Sequence, residues 1–300
     1  MTAQDSTFRS GYVALVGLPN AGKSTLMNQL VRQKLAIVSP KPQTTRRRTL
    51  GIVSGPGYQM IVLDTPGILD PHYPLQKAMM RTVREVLGDA DVACFLLDAT
   101  ELKPGAIPTP DALRDFEKTR IAALNKVDIV RSKENLIPLL QETHDTGLFS
   151  EIIPISALTG DGVDRLVAAI VKNLPVGPPF YPEDQLTEQP ERFFVAEIVR
   201  EQVFLHYAEE IPYAVEVEVA DFRERPGAKD YVELVLHVET ASQKPILIGH
   251  GGRAIRALGE AARIEVEKLL DRPVYLHLQV KVSAKWRKNE AALRRFGYRI

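Results

Sequence analysis

Short apolar runs punctuate the first half of the chain at residues 12–16, 50–53, 58–63, 92–97, 121–124 and 152–155. Runs of this length, bounded by turn residues, predict buried strands. Between them lie amphipathic stretches. Leu26, Met27, Leu30 and Val31 share one side of a helix over 25–31. Val163, Leu166, Val167, Ile170, Val171 and Leu174 recur at i, i+3, i+4, i+7, i+8 and i+11, which predicts a closing helix. Residues 50–53 and 58–63 flank Gly55-Pro56-Gly57 and read as a hairpin. Strands alternating with helices predict a doubly wound, mostly parallel α/β sheet over 1–175, with its ligand at the strand C-terminal ends. The pattern then changes. Pro175, Pro178, Pro179, Pro182 and Pro190 crowd one stretch, so 176–190 is expected to be a semi-rigid linker belonging to neither core. Beyond it, 192–205 reads as a helix. Val215, Val217 and Val219 alternate with glutamates, as do Val232, Leu234, Leu236 and Val238 with other residues. A helix runs to about 270, and Val274, Leu276, Leu278, Val280 and Val282 mark a last strand. Residues 191–300 are therefore expected to form an α+β domain with the order helix, strand, strand, two helices, strand.

Composition narrows the class. Apolar residues make up 45% and charged residues 25%, ordinary for a globular protein. No apolar run approaches a membrane span, and the polar residues 1–10 contain no signal-peptide core. The single cysteine, Cys94, lies within an apolar strand, cannot form an intramolecular disulfide and fits a reducing cytoplasm. The zero net charge hides a division. Residues 181–240 carry 15 acidic side chains against 5 basic, and 241–300 carry 13 basic against 5 acidic. Either the basic segment meets a polyanion, or it is a solvated face paired with the acidic one.

Candidate chemistry follows from four motifs. Gly17-Leu18-Pro19-Asn20-Ala21-Gly22-Lys23-Ser24 is G-x-x-x-x-G-K-S between a strand and a helix. Such a loop points backbone N–H groups into one concavity at a helix N-terminus, and its glycines admit phosphate closely. Lys23 would neutralise the β- and γ-phosphates, and the Ser24 hydroxyl would bind Mg²⁺. In the loop Ser39 to Arg48, a threonine hydroxyl would join the Mg²⁺ shell when the loop closes over a γ-phosphate. Thr45 is the first candidate and Thr44 the second. Asp64-Thr65-Pro66-Gly67 ends a strand, placing Asp64 to hold a Mg²⁺-bound water and the Gly67 N–H to meet the γ-phosphate. In Asn125-Lys126-Val127-Asp128, Asp128 would accept from guanine N1–H and the 2-amino group. Adenine lacks that amino group and would turn a lone pair toward the carboxylate. Asn125 would tie the base loop to the phosphate loop, and the Lys126 stem would cover the ring. A backbone N–H of Ser156-Ala157-Leu158 would meet guanine O6. Together these stretches resemble the translation-factor-like GTPases, whose nucleotide contacts would map to Gly17, Asn20, Ala21, Gly22, Lys23, Ser24, Thr25, Asp64, Gly67, Asn125, Lys126, Asp128, Ser156, Ala157 and Leu158.

In the second half, Gly249-His250-Gly251-Gly252 is G-x-x-G between helical segments of the basic region. In a KH domain such a loop clamps about four nucleotides of a single strand. Ile248 and Arg253 flank it, and Lys281 and Lys285 add charge. Trp286 either stacks on a base or packs against the last helix. A GTPase domain, a Pro-rich linker and a KH domain of this order resemble the bacterial Era family from Gly11 to Tyr298. The resemblance implies a GTP-hydrolysing factor in small-subunit ribosome assembly. It would bind the 3′ region of 16S rRNA and the 30S subunit, act as a cytoplasmic monomer, and have no role on DNA. His250 departs from the Lys- or Asn-like residue expected in its KH loop.

Ile68 and Leu69 follow Asp-x-x-Gly where Ras-like enzymes place a water-orienting glutamine, so slow intrinsic hydrolysis is expected, through Lys23, Thr45 and Gly67. Asn20 looks like the asparagine with which relatives hold K⁺. A second reading is a regulatory switch whose basic domain binds a protein partner or, peripherally, the inner face of the cell membrane.

Overall fold

The computed structural model describes residues 8–102, 107–130, 134 and 136–300. Residues 1–7 of the polar N-terminal stretch lie outside the described residues. The chain divides into two compact units. One comprises residues up to 36, 45–70 and 79–188, and the other comprises Ile37–Thr44, Pro71–Ala78 and Gln189–Ile300.

The first unit follows the order β1 (Arg9–Gly17), α1 (Lys23–Val31), β2 (Thr49–Gly55), β3 (Tyr58–Asp64), α2 (Pro74–Asp89), β4 (Val92–Asp98), α3 (Asp111–Arg114), β5 (Thr119–Asn125), α4 (Leu136–Asp145), β6 (Glu151–Pro154) and α5 (Val163–Asn173). The sheet order is β2-β3-β1-β4-β5-β6. Only the β2–β3 pair, joined by the Gly55–Gly57 turn, is antiparallel. Parallel strands need cover on both faces. Val13, Leu15, Val92, Phe95, Ile121 and Leu124 are accordingly all fully buried. Parallel pairing brings the C-terminal ends of β1, β3, β4 and β5 to one edge, at Gly17, Asp64, Asp98 and Asn125. Helices α2 and α4 were not anticipated. For α2 the signal was present, because Leu75, Met79, Val83, Val86 and Leu87 are buried at helical spacing. Burial also pushes the Cys94 thiol up to about 12, leaving it an inert core residue.

The proline-rich stretch is not a free spacer. Gln59 binds it with three hydrogen bonds, to Phe180 N, Tyr181 N and Tyr181 O. Ser10 donates to the Pro178 carbonyl, Ile52 N–H to Leu186 O, and Thr187 to Leu50 O. Proline gives the chain an extended shape but leaves carbonyls free, and donors on β1, β2 and β3 use those of Pro178, Leu186 and Tyr181.

The second unit contains α6 (Glu191–His206), α7 (Ile211–Ala214), β7 (Glu216–Arg223), β8 (Asp230–Val238), α8 (Gln243–Ile248), α9 (Arg253–Leu270), β9 (Val274–Val282) and α10 (Glu290–Arg295). β8 runs antiparallel to β7 and parallel to β9. Val232, Leu234, Leu236 and Val238 alternate onto one face, where they meet Val195, Val199, Leu258, Ala262 and Val266. Acidic and basic segments pair within this unit. Arg272 bonds both Glu191 and Asp230, and Arg287 pairs with Glu239.

Trp286 corrects one expectation. It is fully buried, donates from Nε1 to the Ala214 carbonyl at 2.7 Å, and meets the Phe296 ring edge-on at 5.5 Å. It cannot stack on a nucleic-acid base. Trp286→Ala should cost the unit about 3–5 kcal/mol through the cavity it leaves. Chemical denaturation followed by circular dichroism measures the loss.

Candidate functional site

The phosphate-loop geometry is dictated by close approach. Gly17 and Gly22 have φ of 151° and 95°. A Cβ on Gly17 would lie 2.5 Å from the Leu96 carbonyl oxygen, and one on Gly22 would lie 2.2 Å from Asn125 Nδ2. Asn20, exposed on the loop, also adopts a left-handed φ of 62°. Lys23 opens α1, with Ser24 and Thr25 following in its first turn. The buried Lys23 ammonium donates to Gly17 O at 3.1 Å and Leu18 O at 2.8 Å. Burial lowers its pKa to about 8, against the pull of Asp64.

Three oxygens converge beside it. Ser24 Oγ donates to Asp64 Oδ2 at 2.6 Å and lies 2.9 Å from Thr45 Oγ1. Thr44 donates instead to the Lys41 carbonyl. Asp64 is completely buried, and its Oδ1 makes no hydrogen bond among the described residues. Burial raises this carboxyl to about 6, although Ser24 and Lys23 favour its charged form. A buried carboxylate oxygen lacking a donor, beside two hydroxyls, suits a hard divalent cation with oxygen ligands. Gly67 presses on the phosphate loop, where a Cβ would lie 2.7 Å from Pro19 Cα, and Ile68 N–H donates to Gly17 O.

Asn125 organises the base end. Its Nδ2 donates to Ala21 O at 2.8 Å and its Oδ1 accepts from Ala157 N–H at 2.9 Å. That engages the Ala157 donor within the loop, beside the buried Ser156 and the exposed Leu158. Lys126 forms an ion pair with Asp98, a partner at the end of β4 that the motif reading missed. Asp128 is exposed at the rim.

In the second unit, Ile248 ends α8 and Gly249 turns the chain with φ 74°. A Cβ there would lie 2.6 Å from that of Ala254. Gly251 and Gly252 take φ of 58° and 77° with open space where a Cβ would be. His250, Arg253, Lys281 and Lys285 are exposed.

A family model described as 50S ribosome-binding GTPase matches residues 12–126, and a KH-domain model matches 210–287. GTPase Era of Alkaliphilus metalliredigens is 41% identical over 97% of this chain and 99% of its own. The chain belongs to the Era GTPase family. The Era relative from Geotalea daltonii is 43% identical over 99% of this chain and all of its own. A chloroplastic Era-like GTPase of Oryza sativa is 44% identical, covering 99% of this chain and 71% of its own. Among solved structures, a variant of Aquifex aeolicus Era bound to GDP·AlF4⁻ superposes with a TM-score of 0.92. It is 40% identical and covers 98% of this chain and 100% of that one. An Era complex with MgGDPNP and nucleotides 1506–1542 of 16S ribosomal RNA gives the same values. As an Era-family protein the chain is a GTPase that works with GTP, GDP and Mg²⁺.

The raised Asp64 pKa has a definite sign. The folded, ligand-free protein holds this proton up to about pH 6, above the ordinary 3.8. Its contribution to stability is therefore present at low pH and lost as pH rises through 6. Asp64→Asn should raise the ligand-free melting temperature at pH 7.5, remove that part of the pH dependence between about 4 and 6, and abolish Mg²⁺-dependent binding of GTP. Melting curves and a nucleotide titration measure all three.

Proposed function

We propose that this chain is a GTP-driven assembly factor that grips the 3′ region of 16S rRNA through its KH unit during maturation of the 30S subunit. The observation that carries the reading is the G-x-x-G turn. Gly251 and Gly252 hold left-handed conformations with no side chain over them, flanked by exposed His250 and Arg253. Such a turn lets a phosphate backbone approach closely. Support also comes from the 40% identical Era, which was solved with nucleotides 1506–1542 of that RNA. The protein acts in the cytoplasm, as a monomer, on RNA and not DNA.

In this reading the phosphate-loop N–H groups receive the nucleotide, and Lys23 turns from the Gly17 and Leu18 carbonyls to the β- and γ-phosphates. Ser24, Thr45 and Asp64 would hold Mg²⁺ directly or through water, and the ion would supply positive charge beside the phosphates. The Gly67 N–H meets the γ-phosphate. Asp128 reads guanine, with the Lys126 stem over the ring. Ile68 and Leu69 have no polar side chain to orient water, so intrinsic turnover is slow. Asn20 would supply a carbonyl oxygen for K⁺, and the ion would contribute positive charge during phosphoryl transfer.

Three measurements bear on this. Asp128→Asn should weaken GTP at least about 100-fold while admitting xanthine nucleotides, because the amide donates where the carboxylate accepted. Competition titration with both nucleotides reads the switch. Paired Gly251→Asp and Gly252→Asp changes in the full chain should reduce single-stranded RNA affinity at least about tenfold by placing charge against phosphate. GTP turnover without RNA should stay the same. Turnover should be faster in K⁺ than in Na⁺ buffer, and equal rates would remove Asn20 from the scheme.

A further inference from the structure

Strands β4 and β5 lie side by side and end together, with Asp98 opposite Asn125. The chain turns sharply after Asn125. Lys126 takes a left-handed φ of 65°, a conformation that a residue with a Cβ seldom adopts. Backbone bonds hold the turn, from Ala99 N–H to Asn125 O, from Val127 N–H to Ile155 O and from Ile129 N–H to Lys126 O. Together they fix the Cα end of the Lys126 side chain.

Asp98 fixes the other end. It is buried, and its Oδ2 lies 2.5 Å from the Lys126 ammonium. Its Oδ1 accepts from the Thr100 N–H at 2.9 Å and from the Thr100 hydroxyl at 2.6 Å. The two oxygens therefore divide their work. One ties the carboxylate to the turn that follows β4, and the other is presented to the lysine. Among the described residues Oδ2 accepts no hydrogen bond of good geometry, so the lysine charge is what compensates its burial.

A lysine stem is flexible, and ordering it on binding costs entropy. Held between its backbone turn and Asp98, the Lys126 stem is restricted in advance. Its side chain still keeps 30% of its surface exposed, which leaves an apolar strip able to cover a flat ring. Asp128, two residues on, is exposed at the rim. Face and edge of a base would then be met by separate side chains of one loop. No local spacing relates Asp98 to Lys126. The parallel pairing of β4 and β5 does.

We propose that Asp98 is a positioning residue for the guanine base. Its carboxylate holds the Lys126 ammonium so that the lysine stem stands as a preformed wall against the face of the ring. This rests on the reading of Lys126 as the residue that covers the base.

The test uses the full chain with GDP and IDP, whose base lacks only the 2-amino group, each competing against a fluorescent guanine nucleotide. Asp98→Asn keeps the shape of the side chain and removes its charge. Circular dichroism verifies folding. Both nucleotides are expected to weaken about fivefold, the cost of ordering one long side chain on binding, and to dissociate correspondingly faster. The ratio of GDP to IDP affinity is expected to hold, because Asp128 reads the amino group and is left in place. Thr100→Val, on the surface, should give about a twofold loss of the same kind by freeing Oδ1, and it carries the test if Asp98→Asn does not fold. Lys126→Met keeps an unbranched stem without the ammonium, and in that background Asp98→Asn should cost nothing further. No loss in the folded variants, a changed GDP-to-IDP ratio, or an undiminished loss in the Lys126→Met background would overturn the proposal. A changed ratio would mean that the whole loop, Asp128 included, had shifted. Lys126→Ala runs in parallel and should weaken both nucleotides. If it does not, the reading of Lys126 has failed and the proposal falls with it. If it does and the Asp98 variant does not, only the role of Asp98 falls.

Discussion

A fully buried carboxylate, one of whose oxygens accepts no geometric hydrogen bond among the described residues, is the constraint on which the nucleotide unit depends. Removing Asp64 from water costs more than Ser24 and Lys23 return, which is why its carboxyl titrates near 6. Lys23 pays a similar cost from the other side and titrates near 8. The two charges are held together by a sheet that leaves them no alternative, since β1 ends at Gly17 and β3 at Asp64 in neighbouring positions. In the proposed reading a divalent cation beside Asp64 and an anionic phosphate beside Lys23 would complete both groups at once, which would resolve the mismatch stored in the ligand-free site.

Rigidity around that mismatch comes from backbone, not from long side chains. Asn125 joins the phosphate loop to the base loop through one amide, using both its donor and its acceptor. Gly17, Gly22 and Gly67 let segments touch where any Cβ would collide. A bulky residue at any of the three would have to displace backbone or the buried Asn125. The second unit uses charge differently. Arg272, Arg287 and their acidic partners close its surface with paired charges, while the G-x-x-G turn and its flanking cations stay exposed. The basic segment thus divides between cations in structural pairs and cations left exposed.

By itself the sequence determined the alternating architecture, the element order of both halves and the motif residues at strand ends. Each is encoded locally, in apolar period and in residue types whose backbone or donor chemistry has few substitutes. The helix α2 was also legible, in the spacing of Leu75, Met79, Val83, Val86 and Leu87, although it was not read. Tertiary structure alone decided how Trp286 is used, because its spacing fits both an exposed base platform and a core anchor. Only the distant Ala214 carbonyl and Phe296 ring settle the matter. The same holds for the proline-rich stretch, whose Pro178, Tyr181 and Leu186 carbonyls accept from Ser10, Gln59 and Ile52 on strands far away in the chain. It holds for Asp98 opposite Lys126 and for the Thr45 hydroxyl beside Ser24. In every such case the deciding contact joins residues that no local period relates, and folding alone brings them within hydrogen-bond reach.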